Sequence, residues 1–294
     1  MEPFRIGHTI KDLRKYYKIS QKELADGVCT QAMISRIETD DLYPSAPILF
    51  QIAEKLGVDI NYFFNLSETP RLDYAQEVCS QIRMLVRQTR YKEAMEMINL
   101  EKRNPLFRKG AFYQFLIWQE AICYFYITRD EEKSFTLLDE ALRLKSTAKD
   151  HLSQHELEIL TSKAIIYCDL ENYDESIRIF EECLLMLKTM PANNISKLEI
   201  RILYNLARSF HLKQKYLKSI ETSSKGINLC IKEESLYLLG ELYYQKGESL
   251  YNLNEIKHAR TCLEYSLWVF ERTNNVTFYQ YVQNEKDKMI DNIH

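Results

Sequence analysis

The sequence predicts an all-α protein in two parts: a bundle of five short helices over residues 1–66, then, after a linker at 67–72, a right-handed superhelix of helical hairpins over 73–294. Three observations carry this. Gly and Pro number only seven and six in 294 residues, too few turn-formers for an all-β chain. Apolar residues recur at helical spacing from the N-terminus onward. Beyond the linker, a small residue returns every 40 to 43 positions near the start of a helix.

Composition narrows the function classes. Hydrophobic residues make up 46%, enough for folded cores. The net charge is −3, so nucleic-acid binding has to come from a local patch. The seven Cys form no CxxC pair and are expected as reduced thiols. The N-terminus lacks the apolar core of a signal peptide, and charged or polar residues break every apolar stretch well short of a membrane span. A soluble cytoplasmic protein without membrane contact is expected.

Residues 1–66 read in order. Ile6, Ile10, Leu13 and Tyr17 form one apolar helical face. Ser20-Gln21-Lys22-Glu23 is a capping box, with Leu24, Ala25 and Val28 directed inward. Thr30 is the N-cap of a helix that turns Ile34 and Ile37 to one side and Gln31, Ala32, Ser35 and Arg36 to the other. Tyr43-Pro44-Ser45 starts a fourth helix with Ile48, Ile52, Ala53 and Leu56 on its buried stripe, stopped by Gly57. A fifth helix is expected around Ile60–Leu66. Two short helices joined by a tight turn suit entry into the DNA major groove, where Gln pairs with adenine and Arg with guanine. Arg5, Lys11, Arg14, Lys15, Lys18 and Lys22 against Glu2 and Asp12 make a phosphate-positioning patch. A plain helical bundle with a solvated charged face is the competing reading.

The string from Ile6 to Phe64, with ISRIE followed by YPS, resembles the λ-repressor/Cro-type (XRE) helix-turn-helix. The resemblance implies that Gln21 touches a phosphate and that Gln31, Ala32, Ser35 and Arg36, following Thr30, face the groove. Val28-Cys29-Thr30 departs from the family as a turn one residue short and without the common Gly.

The second part repeats. Ala94, Ser134, Ser176, Ser219 and Ala259 occupy one repeat position. Twelve residues before each stand Ile82, Ile122, Ala164, Ala207 and Gly247, and three residues after those Leu85, Phe125, Tyr167, Phe210 and Leu250. A small residue facing a large one across a hairpin permits close helix approach. This is tetratricopeptide logic with slightly longer helices: five hairpins over about 71–273 and a capping helix near Val276–Ile293.

The first helix of each hairpin is expected to line a concave surface. Glu158, Thr161, Arg201, Tyr204, Arg208, Glu241, Tyr244 and Glu248 fall there, with Gln119, Arg83, Arg87 and, beside the row, Asn205. Mixed charge with Tyr and Asn suits an extended peptide, which needs donors and acceptors on both sides. A polar face on a scaffold that only dimerises is the alternative.

The combination resembles the Gram-positive peptide-sensing regulators of the RRNPP group, and among them the PlcR type. VCTQ…ISRIE…YPS, the stretch Met84 to Glu93, and Gly240 to Glu248 carry the resemblance. It implies a homodimer, activation at palindromic sites in double-stranded promoter DNA, and control by a short signalling peptide. It implies peptide contacts at Phe64, Arg87, Tyr204, Asn205, Glu241 and Tyr279; the full candidate set adds Thr161, Arg201, Arg208, Tyr244 and Gln245. Three positions depart from the pattern. Thr161 stands where another Asn is expected, Thr89 replaces a basic residue, and Glu241 puts an acid where a neutral amide is usual, so a different cognate peptide is expected.

Two other functions compete. The repeats could dock another protein, or the cysteines, of which Cys79, Cys123 and Cys168 approach the groove, could sense redox state. An enzyme is not expected, because no phosphate-cradling Gly loop, metal-ligand cluster or nucleophile motif occurs. His151 and His155 could share a helix face but lack a third ligand, so no metal and no cofactor are expected.

Overall fold

The computed structural model describes residues 6–60, 63, 70–108, 110–144, 153–190 and 195–291. Among the described residues there are helices, turns and no strand. The chain divides into two compact units, Met1–Met84 with Asn104–Phe107, and Leu85–Arg103 with Arg108–His294. The polar break Ser67–Thr69 lies outside the described residues.

The first unit contains α1 (Ile6–Tyr16), α2 (Gln21–Ala25), α3 (Gln31–Glu38) and α4 (Ala46–Leu56), and most of α5 (Pro70–Arg87). Ile6, Ile10, Leu24, Ile34, Ile37, Leu49, Ile52, Leu56 and Phe63 make one buried core. The helix starts follow from local bonding. Ser20 Oγ accepts from the Glu23 amide at 3.1 Å, and the Glu23 carboxylate accepts from the Ser20 amide at 2.7 Å. Thr30 Oγ1 accepts from the Met33 amide at 3.2 Å. Gly57 ends α4 at φ +68°. Tyr17 departs from the expected apolar face: α1 stops at Tyr16, Lys18 turns left-handed at φ +57°, and Tyr17 is 47% exposed while Ile19 packs on the core. Of the expected fifth helix only Ile60 and Phe63 are among the described residues, and Phe63 is buried.

The second unit continues with α6 (Tyr91–Glu101), α7 (Gly110–Thr128), α8 (Glu131–Arg143), α9 (Gln154–Asp169), α10 (Tyr173–Leu187), α11 (Ser196–Leu212), α12 (Tyr216–Lys232), α13 (Leu239–Asn252), α14 (Ile256–Arg272) and α15 (Val276–Asp291). Each helix from α6 onward packs on its neighbour in sequence. The first helices also touch one another: α9 meets α7 and α11, and α11 meets α13. They therefore form a layer of their own beside the second helices α10, α12 and α14.

The small residues make this layering possible. Ala94, Ser134, Ser176, Ser219 and Ala259 are all buried. A Cβ on Gly247 would stand 3.3 Å from the Ala259 carbonyl oxygen and 3.1 Å from Leu263, so the two helices already touch at van der Waals distance. The serines also bond forward to the next hairpin. Ser176 Oγ lies 3.0 Å from Ser209 Oγ, and Ser249 Oγ donates to Ser219 Oγ at 2.9 Å. These rungs satisfy hydroxyls that would otherwise be costly to bury. In the second hairpin the fully buried small residue is Ala121, and Ile122 is only half-buried.

A second regularity closes each hairpin. Thr89, Arg129, Glu171, Gln214 and Asn254 stand two residues before a second helix, all left-handed, with φ of +58°, +60°, +61°, +59° and +63°. The backbone then returns to the end of the first helix. The amides of Arg90, Asn172, Lys215 and Glu255 donate to the carbonyls of Leu85, Tyr167, Phe210 and Leu250 at 2.8–2.9 Å. The large residues of the repeat thus mark the last turn before a left-handed cap of the kind glycine favours. No glycine occupies any of the five positions, so each carries some backbone strain. Gln214→Gly is expected to raise stability by about 0.5–1 kcal/mol and Gln214→Val to lower it by about 1–2 kcal/mol. Urea midpoints at constant slope would read both.

Candidate functional site

In the first unit the outward side of α3 is the candidate nucleic-acid interface. Gln31, Ala32, Ser35 and Arg36 are exposed, as is Thr30 before them, while Ile34 and Ile37 point into the core. The helix is held from behind. Glu38, 1% exposed, receives Arg14 Nε at 2.5 Å, Arg14 Nη2 at 2.8 Å and Gln21 Nε2 at 2.9 Å. Arg14 Nη1 also donates to the Ile19 carbonyl at 2.8 Å. A Cβ on Gly7 would overlap the carbonyl oxygen of Ile37, and the Gly7 amide donates to Asp40 at 2.9 Å, so α1 and α3 are in backbone contact. Lys55 on α4 donates to the carbonyls of Glu23 and Asp26 at the end of α2.

Burial alone would raise the Glu38 carboxyl. The hydrogen bonds from Arg14 and Gln21 and the Arg14 charge outweigh it and hold Glu38 below the usual carboxylate range. Gln21, expected at a phosphate, has its amide nitrogen on Glu38. Arg14, expected in the phosphate-positioning patch, is committed to the same acid. The turn differs from the expectation too. It spans residues 26–30 and does contain a left-handed glycine, Gly27 at φ +70°. The expected turn begins at Val28, whereas α2 ends at Ala25 and the turn takes in Asp26 and Gly27 as well.

In the second unit a cavity of about 360 Å³ opens on the inner layer. From α11 it takes Tyr204, Arg208, His211 and Leu212, and from α13 Glu241, Tyr244, Gln245 and Glu248. Phe270, Phe278 and Tyr281 complete it from the C-terminal helices. Its polar groups fall into two sets. On one side Arg208 Nη2 donates to Asp169 at 2.9 Å, and Tyr126 donates to the same carboxylate at 2.6 Å. On the other, Tyr244 donates to Glu248 at 2.5 Å and lies 3.2 Å from the Tyr281 hydroxyl.

Burial pushes Glu241 and Glu248 above the usual carboxylate range; the Tyr244 hydrogen bond only partly offsets this at Glu248. Burial pushes the Tyr204 phenol up to about 12. It pushes His211 down, so the neutral ring is favoured, with Nδ1 2.9 Å from Ser249 Oγ. Gln245 is 4% exposed and its Nε2 has no hydrogen-bond partner; Arg201, one turn before Tyr204, has Nε and Nη2 buried and equally unpartnered.

The expected peptide contacts thus divide. Tyr204, Arg208, Glu241, Tyr244 and Gln245 line the cavity together. Thr161 is fully buried and donates to the Leu157 carbonyl at 2.7 Å, which puts it out of reach of a ligand. Asn205 is 9% exposed, with its amide nitrogen on the Arg201 carbonyl at 2.8 Å. Gln119, also expected on the concave row, is 3% exposed. Tyr279 packs on the core of Leu263, Leu267, Phe270 and Val282 instead, and Tyr281 takes the place at the cavity. Arg87 is exposed at the end of α5, and Phe64 lies outside the described residues. Phe278, Tyr281 and the Arg208 partner Asp169 were missed. Tyr281 lies two residues beyond Tyr279 on α15, and only the packing of Tyr279 on the core distinguishes them.

The cysteines do not form a sensor-like arrangement. Six of the seven are buried and Cys29 half-buried. Burial raises the thiols of Cys79 and Cys183 to about 11 and of Cys123 to about 12, the opposite of the acidified thiol that oxidation chemistry needs. His151 lies outside the described residues, and His155 sits 3.7 Å from Glu158. Among the described residues no helix is long and apolar enough to cross a membrane.

Residues 79–290 match the RNPP family C-terminal domain, and residues 10–63 match a helix-turn-helix domain. No curated protein matches the chain. The chain is similar to the crystal structure of Bacillus thuringiensis PlcR in complex with the peptide PapR7 and DNA, at 28% identity and TM-score 0.79, over 95% of this chain and 99% of that one. Against Bacillus thuringiensis PlcR in its apo form the values are 27%, 0.66, 96% and 99%. The Streptococcus dysgalactiae pheromone receptor Rgg2 shares the fold at 17% identity and TM-score 0.66, over 96% of this chain and 99% of that one.

Two Glu→Gln substitutions should show opposite signs. Glu38 is depressed, so its contribution is present at neutral pH and is lost as pH falls through its folded value. Glu38→Gln is therefore expected to destabilise at neutral pH, with the gap to the wild type closing on acidification. Glu241 is raised, so its ionisation opposes folding as pH rises through its folded value. Glu241→Gln is expected to stabilise at neutral pH and above, with that gap also closing on acidification. Thermal unfolding across pH would read both. Glu38→Ala, which leaves Arg14 unpaired, should cost about 3 kcal/mol.

Proposed function

The chain belongs to the RNPP family, and from that premise we propose that it is a quorum-sensing transcription regulator whose DNA binding is controlled by a short signalling peptide held among α11, α13 and α15. It is a regulator rather than an enzyme. The observation that carries the peptide reading is the cavity on the inner layer, where Tyr204, Arg208, Glu241, Tyr244 and Gln245 converge and the buried Nε2 of Gln245 has no partner among the described residues. An unpaired buried donor is costly, and a peptide backbone carbonyl is an acceptor of the kind Gln245 Nε2 lacks. The likeness to a regulator crystallised with both a peptide and DNA supports the same reading.

The division of labour is residues 1–66 for DNA, 67–72 as linker and 73–294 for peptide sensing and dimerisation. In the head, Gln31, Ala32, Ser35 and Arg36 read base edges, with Thr30 at the N-terminus of α3 beside the backbone. Gln21 reaches a phosphate only if its carboxamide oxygen does so, since the nitrogen is held by Glu38. One head contacts few phosphates and binds weakly; a homodimer spaced to match a palindrome gains through effective concentration. We place the protein in the cytoplasm, acting as an activator. Peptide in the hollow changes the spacing of the two heads, so by linkage the correct DNA site tightens peptide binding by the same factor.

Fluorescence anisotropy on a palindromic site at fixed salt tests this. Arg36→Ala is expected to cost about 1–3 kcal/mol on the specific site and far less on random DNA. An equal loss on both would make Arg36 a phosphate contact. An affinity unmoved by every peptide that binds the protein would contradict the coupling.

A further inference from the structure

The cavity has a charge imbalance that its own residues do not correct. Arg208 is the one permanent cation among the described residues lining it, and Arg208 is already paired with Asp169 at 2.9 Å. His211 lines it too, but burial favours its neutral form. Against these stand two carboxylates, Glu241 and Glu248. Among the described residues the Glu248 carboxylate has one hydrogen-bond partner, the neutral Tyr244 hydroxyl at 2.5 Å. Burial outweighs a backbone hydrogen bond at Glu241, and among the described residues no cation is paired with its carboxylate. A half-buried carboxylate with no cation against it is an unfavourable arrangement that a cationic ligand group would relieve.

A second observation points to the same spot. Gln245 lies four residues after Glu241 on α13, hence on the same face and about 6 Å further along the axis. It is 4% exposed, it lines the cavity, and its Nε2 donor has no partner. An acceptor of positive charge and a donor seeking a carbonyl therefore stand one helical turn apart. That spacing fits a charged nitrogen and a nearby peptide carbonyl of one extended segment.

We propose that the hollow selects a peptide carrying a positively charged nitrogen, seated on Glu241 in the negative field of Glu248, with an adjacent backbone carbonyl accepting from Gln245 Nε2. The inference rests on the reading of the hollow as a peptide site. The charged nitrogen is either an N-terminal ammonium or a Lys or Arg side chain. Tyr204 and Tyr244 line the same hollow, and aromatic rings attract positive charge.

Selection of a random library of seven-residue synthetic peptides on the full-length protein tests it. Each peptide recovered is compared with its N-acetylated form and with a form in which Lys becomes norleucine or Arg becomes citrulline. One of the two changes is expected to weaken binding by at least about tenfold, and which one identifies the source of the charge. Glu241→Gln should remove most of that difference, bringing charged and neutral forms to similar affinity, while Glu96→Gln, at an exposed acid outside the cavity lining, leaves it intact. If neither change to the peptide matters to the wild-type protein, or if the difference survives Glu241→Gln, the proposal is overturned and the peptide reading stands. If no peptide is recovered at all, the peptide reading falls and the proposal falls with it.

Discussion

Close approach of neighbouring helices at buried small residues is the constraint on which the second unit depends. Ala94, Ser134, Ser176, Ser219 and Ala259 have no exposure to spare, and Gly247 already lies against the Ala259 carbonyl and Leu263. A larger side chain at any of them would push a hairpin apart. Because the first helices touch one another as well as their partners, that displacement would pass directly into α11 and α13. The hollow is therefore a consequence of the packing. Its walls are the inner faces of helices whose opposite faces are fixed by the small residues and by the rungs Ser176–Ser209 and Ser219–Ser249. The same packing leaves polar groups of the inner face partly unsatisfied, and those groups give the cavity its chemistry.

The first unit solves a related problem with charge. Its presenting helix, α3, has only eight residues, and its apolar anchors are Ile34 and Ile37. Glu38, at its C-terminal end, is buried and bonded by Arg14 from α1 and Gln21 from α2. One acid thus ties three helices together behind the exposed row of Gln31, Ala32, Ser35 and Arg36. Replacing such a pair by apolar residues can be neutral, but removing one member leaves a buried charge unpaired. The network is best understood as fixing geometry at the interface, with its stability contribution secondary.

Much of this was legible in the sequence, and the reasons are local. Ser20, Thr30 and Gly57 announce helix ends because their roles depend on hydrogen bonds or φ angles within a few residues. The repeat was visible because its spacing survives in small residues that tertiary packing demands. Counting helical turns from those residues put Tyr204, Arg208, Glu241, Tyr244 and Glu248 on the inner side, where they line the cavity. What stayed hidden depends on three-dimensional company. Glu38 reads as an ordinary polar residue until Arg14 and Gln21 are brought to it. Asp169 is 39 residues from Arg208 and nothing local links them. Thr161 fits the periodicity, yet its hydroxyl turns back to its own helix. Tyr17 fits as well, but the helix ends one residue too soon, at Tyr16.

The central claim is that the signal is read at the inner layer and not on the outer helices. Hydrogen–deuterium exchange of the full-length protein, with and without a saturating seven-residue peptide selected on it, tests this most directly. New protection is predicted to concentrate in residues 201–212 and 239–252. Protection confined to the second helices α10 and α12, with α11 and α13 unchanged, would contradict the account.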